Sequence, residues 1–311
     1  MAEKENCKLF SEFAPNTMQE WIDKVTVDLK GADFNKKLVW RTNEGFNVQP
    51  MYRLENMKDL KNLECLPGEF PFVRGNKKDN NDWYVRQDIR VEDIAEANKK
   101  ALDVLNRGVN SLGFVFTGCR EFSKADMEAL LKDICLECVE INFVCECKKC
   151  SIVDAFMAVV EERGIDPEKI QGGINIDPLT NLTLKGKICC ENPFGAPLEN
   201  TKKMAAYKNF KTIEVGGYVF NNSGASIVQE LGFSLAAGVE YLDKLTEAGM
   251  SVNEIAPRIR FHFATSSKYF MEIAKLRAAR YLWAHIVKAY NPCCDSVCKM
   301  NTHAETSEWN K

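Results

Sequence analysis

The stretch RIRFHFATSSKYFMEIAKLRAARYLWAHIVKAY, residues 258–290, contains a strand candidate, Arg258–Ala264, followed by the clearest helix candidate of the chain, Lys268–Tyr290. Apolar residues recur every three or four positions in this helix, which predicts one face packed on a sheet or barrel and one wet face. The packed face is expected to consist of Tyr269, Ile273, Leu276, Ala279, Trp283, Ile286 and Tyr290. Off this stripe, toward the wet face, lie Glu272, Lys275, Arg280 and Lys288.

The same order of a short apolar run and an amphipathic stretch repeats from Trp83 onward. The other strand candidates are Trp83–Ile89, Ser111–Phe116, Val139–Cys145, Ile170–Ile176, Thr212–Phe220 and Val297–His303. The other helix candidates are Val91–Arg107, Lys124–Ile134, Ile152–Arg163, Leu198–Phe210 and Ser226–Ala248. Residues 83–311 number 229, so seven units average about 33 residues each, which suits a βα unit. Strand–helix alternation at this interval predicts parallel strands joined by crossover helices.

Two folds are built from repeated βα units, the closed (β/α)8 barrel and the open doubly wound sheet. No Gly-x-Gly-x-x-Gly follows a strand candidate and no Gly-x-x-x-x-Gly-Lys-Ser/Thr occurs, so a nucleotide-binding open sheet loses support. We therefore predict an α/β fold with a (β/α)8 TIM barrel over residues 83–311. Such a barrel needs eight strands and the pattern gives seven, so either one strand is missed or the barrel is truncated after the seventh strand.

Residues 1–82 show a different pattern, which predicts an N-terminal arm and a linker. Helical spacing relates Met18, Trp21, Ile22, Val25 and Leu29. Asn16 or Thr17 is a plausible cap for this helix, and Gly31 ends it. Residues 37–52 are expected to be extended, with a turn at residues 43–45, and residues 66–82 are rich in Pro, Gly, Asn and Lys.

The arm carries large aromatic side chains but no compact core of its own. These side chains are Trp21, Trp40, Phe46 and Tyr52. Aromatic residues are favoured anchors of protein interfaces. We therefore expect this arm to wrap a partner subunit.

Composition excludes several classes of protein. Apolar residues make up 45% and charged residues 27% of the 311 residues, which excludes a disordered chain, a collagen and a coiled coil. A net charge of -3 gives no surplus of cations for nucleic acid. No run of about 20 apolar residues occurs, and the N-terminal sequence MAEKENCKLF lacks the apolar segment of a signal peptide. We therefore expect a cytoplasmic protein with neither a nucleic-acid nor a membrane partner.

The chain has 13 cysteines, which a reducing compartment would keep mostly as free thiols. Cys135, Cys138, Cys145, Cys147 and Cys150 fall within 16 residues. Cys-x-x-Cys spacing suggests zinc, but the strand candidate Val139–Cys145 occupies the gap and its side chains alternate faces. Packed or exposed thiols are therefore favoured, and no metal site is predicted.

Three collinear stretches together resemble the methylmalonyl-CoA mutase family over essentially the whole chain. The first is WRTNEGF at 40–46 with Val48, Pro50 and Tyr52. The second is LPGEFPFVRG at 66–75 with Trp83 and Arg86-Gln87. The third is FMEIAKLRAARYLWA at 270–284.

The resemblance implies an arm that wraps a partner, a (β/α)8 barrel threaded by the coenzyme A chain of the substrate, and a C-terminal cobalamin domain. In that family adenosylcobalamin supplies the radical that interconverts (R)-methylmalonyl-CoA and succinyl-CoA. Residues 1–311 contain no Asp-x-His-x-x-Gly cobalamin-ligand motif. The cobalamin domain is therefore expected to be absent from these residues, and the cofactor is expected to bind elsewhere in the holoenzyme.

The sequence departs from the pattern of the catalytic chains that it resembles. Where those chains carry Arg-Gln-Tyr-Ala-Gly-Phe, residues 86–91 are RQDIRV, so Asp88 replaces the substrate-contacting Tyr. Where they carry Gly-Tyr-His, Val219 replaces the His. Their Thr-His-Cys-Gln-Thr-Ser-Gly-Trp corresponds to THAETSEW at 302–309, which retains His303, the counterpart of a histidine that bonds the thioester carbonyl, but has Glu305 in place of Gln.

These departures work against a radical rearrangement, which needs a dry and shaped cavity. Asp88 and Glu305 could form a general acid–base pair, but polar filling of a vestigial cavity is the favoured interpretation. A substrate-binding role for His303 is only tentative, because its neighbours have changed.

The leading hypothesis is therefore the small, non-catalytic subunit of a heterodimeric mutase, which stabilises a large catalytic subunit that binds the acyl-CoA. One alternative is an active mutase chain with an unusual active site. Another is a free-standing barrel enzyme with other chemistry, which no motif favours.

Overall fold

The computed structural model describes residues 10–61, 63–117, 121–145, 151–188 and 191–310. The chain divides into two compact units, residues 1–61 and 62–311.

The first unit contains two helices, α1 (Met18–Asp28) and α2 (Phe34–Leu38), and an antiparallel pair, β1 (Trp40–Arg41) and β2 (Asn47–Val48). Thr17 caps α1, because its hydroxyl accepts the Glu20 N–H while the Glu20 carboxylate accepts the Thr17 N–H at 2.6 Å. Gly45 adopts φ +88°, a left-handed conformation that lets the chain reverse between the two strands. The predicted helix and turn are confirmed.

The second unit alternates strands and helices as predicted. Its strands are β3 (Arg86–Arg90), β4 (Ser111–Phe116), β5 (Glu140–Cys145), β6 (Gln171–Ile174), β7 (Asn209–Lys211), β8 (Ile213–Gly216), β9 (Ile259–Thr265) and β10 (Asn301–Thr306). Its helices are α3 (Ile94–Asn106), α4 (Lys124–Leu130), α5 (Ile152–Glu162), α6 (Pro178–Lys185), α7 (Gly195–Lys203), α8 (Tyr218–Asn222), α9 (Ile227–Glu247), α10 (Val252–Ile255) and α11 (Tyr269–Ala289). The fold is α/β.

All strand pairs of the second unit are parallel. One sheet has the order β3-β4-β5-β6-β7 and another the order β10-β9-β8. β7 and β8 are separated only by Thr212, and β7 pairs with β6 while β8 pairs with β9. The described residues therefore supply seven parallel strand positions, with the fifth one divided between the two sheets.

Two apolar clusters lie between these strands and the helices. One contains Phe114 and Phe143, and Phe143 contacts the Phe156 ring at a centroid distance of 5.1 Å. The other contains Phe261 and Trp283, whose rings lie 4.7 Å apart. Each fully buried Phe side chain stabilises the fold by roughly 1.5–3 kcal/mol. Within the described ranges, none of the helices is long and apolar enough to cross a membrane.

Three strand predictions need correction. The candidate Trp83–Ile89 starts too early, because β3 begins only at Arg86. The candidate Thr212–Phe220 ends as a strand at Gly216, where the Asp177 carboxylate accepts the Gly216 N–H at 2.7 Å, and the chain then turns into helix α8. The candidate Val297–His303 starts too early. Residues 295–298 form a single helical turn, and β10 begins only at Asn301.

The predicted packed face of α11 is also partly wrong. Tyr269 and Ile273 are 69% and 41% exposed. Glu272 and Lys275, expected on the wet side, are buried instead. The Lys275 ammonium lies 2.7 Å from both the Glu272 and the Glu230 carboxylates. An ion pair with a neighbouring helix therefore turns α11 relative to its apolar stripe.

Residues 63–82, grouped with the arm by composition, pack on the second unit. Phe72 is buried in the second apolar cluster. Its carbonyl accepts a hydrogen bond from Arg280 Nε at 3.0 Å, and Asn76 Nδ2 donates to the Met300 carbonyl at 2.6 Å. The Arg280 side chain of α11 and the Met300 carbonyl before β10 thus hold residues 63–82 in place.

Candidate functional site

One face of the parallel strands packs on the helices and the alternate residues form a second, polar face. Side chains alternate along a strand, so the residues between the core positions share this other face. The charged and amide side chains of this polar face are Arg86, Asp88, Glu140, Asn142, Lys211, Glu214, Arg260, His262, His303 and Glu305. Charged side chains are rarely buried unless they are paired, so the partners of these groups decide what the polar face can do.

Glu214 and Arg260 form the centre of the polar face. Arg260 Nη2 lies 2.8 Å from Glu214 Oε2, and both side chains are buried. Arg260 Nη1 also donates to Asn142 Oδ1, which links β9 of the three-stranded sheet to β5 of the five-stranded sheet. Gly173 makes room for this link, because a Cβ there would lie 3.2 Å from Arg260 Nη1.

His262 joins this pair to the end of the last strand. Its Nδ1 lies 3.4 Å from Glu214 Oε1 and its Nε2 lies 3.3 Å from Glu305 Oε2. The rings of Tyr218 and His303 pack against it at centroid distances of 4.4 and 4.5 Å. The imidazole of His262 is thus held by two carboxylates and two rings.

Mutual electrostatics fix the charges of this cluster. Burial opposes ionisation of Glu214, but Arg260 and His262 outweigh it and hold its pKa well below the usual range. Burial likewise opposes protonation of His262, but hydrogen bonds to Glu214 and Glu305 raise its pKa. The cluster therefore pairs the ionised carboxylate of Glu214 with Arg260, and its carboxylates favour the protonated form of His262.

His303 and Lys211 show the opposite response. Burial, with the nearby charges of His262 and Arg86, lowers the pKa of His303 to about 2. Burial, with the charges of Arg258 and Arg260, lowers the pKa of Lys211 to about 8. His303 is thus a neutral ring that packs beside the ring of His262.

The site residues predicted from the sequence lie at different places. His303 and Glu305 both contact His262 on the polar face. Asp88 is 47% exposed and its carboxylate pairs with Arg86 Nε at 2.6 Å, whereas the Glu305 carboxylate contacts His262. Val219 lies in α8 with its side chain buried, off the polar face.

Glu214, Arg260 and His262 carry most of the contacts of the polar face and were not predicted from the sequence. Alternation was the available signal. Residues 260–263 read RFHF, and Glu214 stands between Ile213 and Val215. Ionisable residues therefore alternate with apolar residues in β9, and one lies between two apolar residues in β8. A charged residue in that register indicates a filled interior.

No group of three or more His, Cys, Asp or Glu side chains with metal-binding geometry occurs among the residues that the structure describes. Cys135 and Cys138 are exposed, and Cys145 is half-buried at the end of β5. Cys147 and Cys150 lie outside the described residues.

The aromatic residues of the arm differ in their surroundings. Trp21 is half-buried and meets the Phe34 ring edge-on at 6.2 Å. Trp40, Phe46 and Tyr52 are 42%, 46% and 59% exposed. Trp21 therefore holds α1 and α2 together, whereas the other three leave apolar surface in contact with water.

Known proteins resemble this chain over nearly its whole length. The family described as "Methylmalonyl-CoA mutase" matches residues 41–120 and 116–311. The methylmalonyl-CoA mutase small subunit of Porphyromonas gingivalis is 48% identical over 99% of this chain and 50% of its own length. The methylmalonyl-CoA mutase large subunit of Streptomyces virginiae is 31% identical over 88% of this chain and 41% of its own length. The mitochondrial methylmalonyl-CoA mutase of Homo sapiens is 28% identical over 93% of this chain and 42% of its own length.

The chain thus spans about half the length or less of these relatives. The matched residues make up far more than half of the chain and include all the residues of the polar face. The chain belongs to the methylmalonyl-CoA mutase family.

Proposed function

We propose that this chain acts as the small subunit of an adenosylcobalamin-dependent methylmalonyl-CoA mutase, and that it does not itself catalyse the reaction. In this proposal it forms a heterodimer with a large catalytic subunit, which it stabilises and which binds the acyl-CoA. The name of the P. gingivalis relative supports the small-subunit role. The name of the S. virginiae relative supports a large subunit as the partner.

The observation that carries the non-catalytic role is the ion network of the polar face. Arg260 and His262 are buried, and both bond to the buried carboxylate of Glu214. A thioester that entered between these groups would separate them, and each buried charge left without a partner costs several kcal/mol. The network therefore opposes entry of a substrate along the strands.

The contact between Arg260 and Asn142 supports a barrel. It joins the polar faces of the two sheets, as expected if the seven strand positions belong to a (β/α)8 barrel with this face inside. We also propose that the segment before the barrel is a partner-wrapping arm, because exposed aromatics are concentrated in it.

The surroundings of the histidines, which are the side chains suited to ligate cobalt, support a site for adenosylcobalamin on the large subunit. The chain has three histidines. His262 and His303 are held in the polar face, and His285 packs against Phe70 and Tyr281 at centroid distances of 5.2 and 4.6 Å. No step of the reaction is therefore assigned to the cofactor on this chain, and the large subunit is proposed to hold it.

A reconstitution experiment tests the proposal. The chain and the large subunit are purified separately, and the conversion of methylmalonyl-CoA to succinyl-CoA is assayed with adenosylcobalamin for each alone and for the mixture. We expect no turnover by this chain alone and slower thermal inactivation of the large subunit in the mixture. Cofactor-dependent turnover by this chain alone would overturn the proposal and support an active chain with an unusual site.

A further inference from the structure

Two adjacent cysteines outside the polar face form a pair of thiols at the surface. Cys293 and Cys294 lie after α11, and both are exposed. The Cys293 thiol donates to Cys294 Sγ at 3.7 Å, and Cys294 Sγ lies 2.9 Å from Ser296 Oγ. The proposed subunit role gives these thiols no task.

We propose that Cys293 and Cys294 form a reversible modification site for low-molecular-weight disulfides, in which Cys294 is the attacking thiol and Cys293 the resolving thiol. Reactive cysteines of this kind are exposed, have a stabilised thiolate and stand beside a resolving thiol. Each of these features is present at the pair.

The contacts divide the two roles. Hydrogen bonds from Ser296 and from Cys293 lower the pKa of the Cys294 thiol. The same contact with Cys294 raises the pKa of the Cys293 thiol, which therefore keeps its proton. A thiolate thus forms first at Cys294.

The chemistry balances with a disulfide RS–SR as the oxidant. The Cys294 thiolate attacks one sulfur and forms a mixed disulfide, and RS⁻ leaves and takes up a proton. Cys293 then loses its proton, its sulfur attacks Cys294 Sγ, and the second RS⁻ leaves and takes up that proton. Two protein thiols lose two electrons and two protons, and RS–SR becomes two RSH molecules.

The product is expected to be easily reduced. Adjacent Cα atoms are about 3.8 Å apart across a trans peptide, below the roughly 4.4–6.8 Å usual for disulfides. The bond between Cys293 and Cys294 is therefore strained, and strained exposed disulfides are the labile ones. The modification would be reversed by an ordinary thiol.

A second thiol pair in the same chain serves as an internal comparison. Cys135 and Cys138 are also exposed, and the Cys138 N–H donates to the Cys135 carbonyl at 3.1 Å. The contact with Cys135 raises the pKa of the Cys138 thiol. Among the hydrogen bonds of the described residues, neither of these thiols receives one from a hydroxyl group. This pair should react more slowly than Cys293–Cys294.

The test follows oxidised glutathione reacting with the reduced full chain, with quenching by acid and peptide mapping by mass spectrometry. In the unmodified chain we expect an internal Cys293–Cys294 disulfide before modification of Cys135 or Cys138. Cys293→Ser should instead accumulate glutathione on Cys294. Ser296→Ala should slow the reaction, because it removes the hydroxyl that lies 2.9 Å from Cys294 Sγ and stabilises its thiolate.

Melting curves of each variant check that the fold is kept. We expect it to be kept, because Cys293, Cys294 and Ser296 are exposed. The proposal is overturned if Cys294→Ser consumes glutathione disulfide at this peptide as fast as the unmodified chain. It is equally overturned if Cys135 and Cys138 react first. Neither outcome depends on mutase activity, so the result is independent of the proposed subunit role.

Discussion

The imidazole rings of His262 and His303 lie 4.5 Å apart, yet the two histidines shift their pKa values in opposite directions. The pKa of His262 is raised because hydrogen bonds to Glu214 and Glu305 outweigh its burial. The pKa of His303 is lowered to about 2 by burial and by the nearby charges of His262 and Arg86. The retained histidine of the family pattern is therefore neutral mainly because it is buried.

This opposition predicts a stability maximum near neutral pH. The lowered pKa of His303 contributes stability above the unfolded value of 6.5, and that stability is lost as the pH falls below it. The raised pKa of His262 contributes stability that is complete below 6.5 and is lost as the pH rises through the folded value. Between pH 7 and pH 5, His303 alone should lower the free energy of unfolding by about 2 kcal/mol.

His303→Gln should remove the loss of stability on the acid side, as measured by urea unfolding at pH 7 and pH 5. His285→Gln, which changes the histidine on the outer side of α11, is the matched control and should keep the acid-side loss. Equal pH dependence in the unmodified chain and in His303→Gln would show that His303 is not held neutral.

The sequence predicts the order of the elements well and their faces less well. Apolar runs located four of the seven strands to within two residues at each end, namely β4, β5, β6 and β9, since burial between helices demands apolar residues at alternate positions. The face of α11 was missed because Lys275 finds its partner Glu230 in α9, 45 residues earlier in the chain, and periodicity takes no account of distant partners. The polar face was missed for a related reason, because its ion pairs form only when separate strands come together.

The buried ion cluster of α11 predicts a large loss of stability for Lys275→Met. The ammonium is fully buried and also donates to the Ala264 carbonyl at 2.5 Å. Its removal leaves Glu230 and Glu272 as buried carboxylates without their cation, which costs about 3–5 kcal/mol. Chemical denaturation measures the loss in the free energy of unfolding.

Lys99→Met is the control, because it removes an exposed lysine that pairs with Glu96 at 3.8 Å and should change stability by less than about 0.5 kcal/mol. Similar midpoints for the two variants would contradict this account.

Two glycines of helix α9 should respond in opposite ways to alanine. A Cβ at Gly232 meets nothing within 4 Å, so Gly232→Ala should stabilise the helix by about 0.5–1 kcal/mol. A Cβ at Gly238 would lie 2.8 Å from the rings of Phe261 and Trp283, so Gly238→Ala should destabilise the core by about 1–3 kcal/mol. Thermal melts of the two variants give the comparison. A Gly238→Ala protein as stable as Gly232→Ala would mean that α9 can move away from β9.

The proposed non-catalytic role predicts that His303→Ala leaves the activity of the assembled heterodimer within two-fold of the unmodified complex. His303 is buried and neutral, and its ring packs against His262, which contacts the carboxylates of Glu214 and Glu305. Steady-state turnover with saturating adenosylcobalamin is the measurement. A ten-fold loss, about 1.4 kcal/mol in the activation barrier, would indicate a second working site, provided that gel filtration shows the variant still assembled.

The proposed partner-wrapping arm predicts that its exposed aromatic side chains contact the large subunit. Phe46→Ala and Tyr52→Ala should each raise the Kd for the large subunit ten-fold or more, about 1.4 kcal/mol, because half-exposed aromatic anchors gain their burial only in the complex. Neither change should lower the melting temperature of the free chain.

Trp21→Ala should differ, since Trp21 packs on Phe34 within the same segment, and its loss should appear as reduced helix content before any partner is added. Lys24→Ala, at an exposed ion pair with Asp28, is the control and should leave the Kd unchanged. Titration calorimetry that finds the same Kd for Phe46→Ala, Tyr52→Ala and Lys24→Ala would remove the arm from the interface.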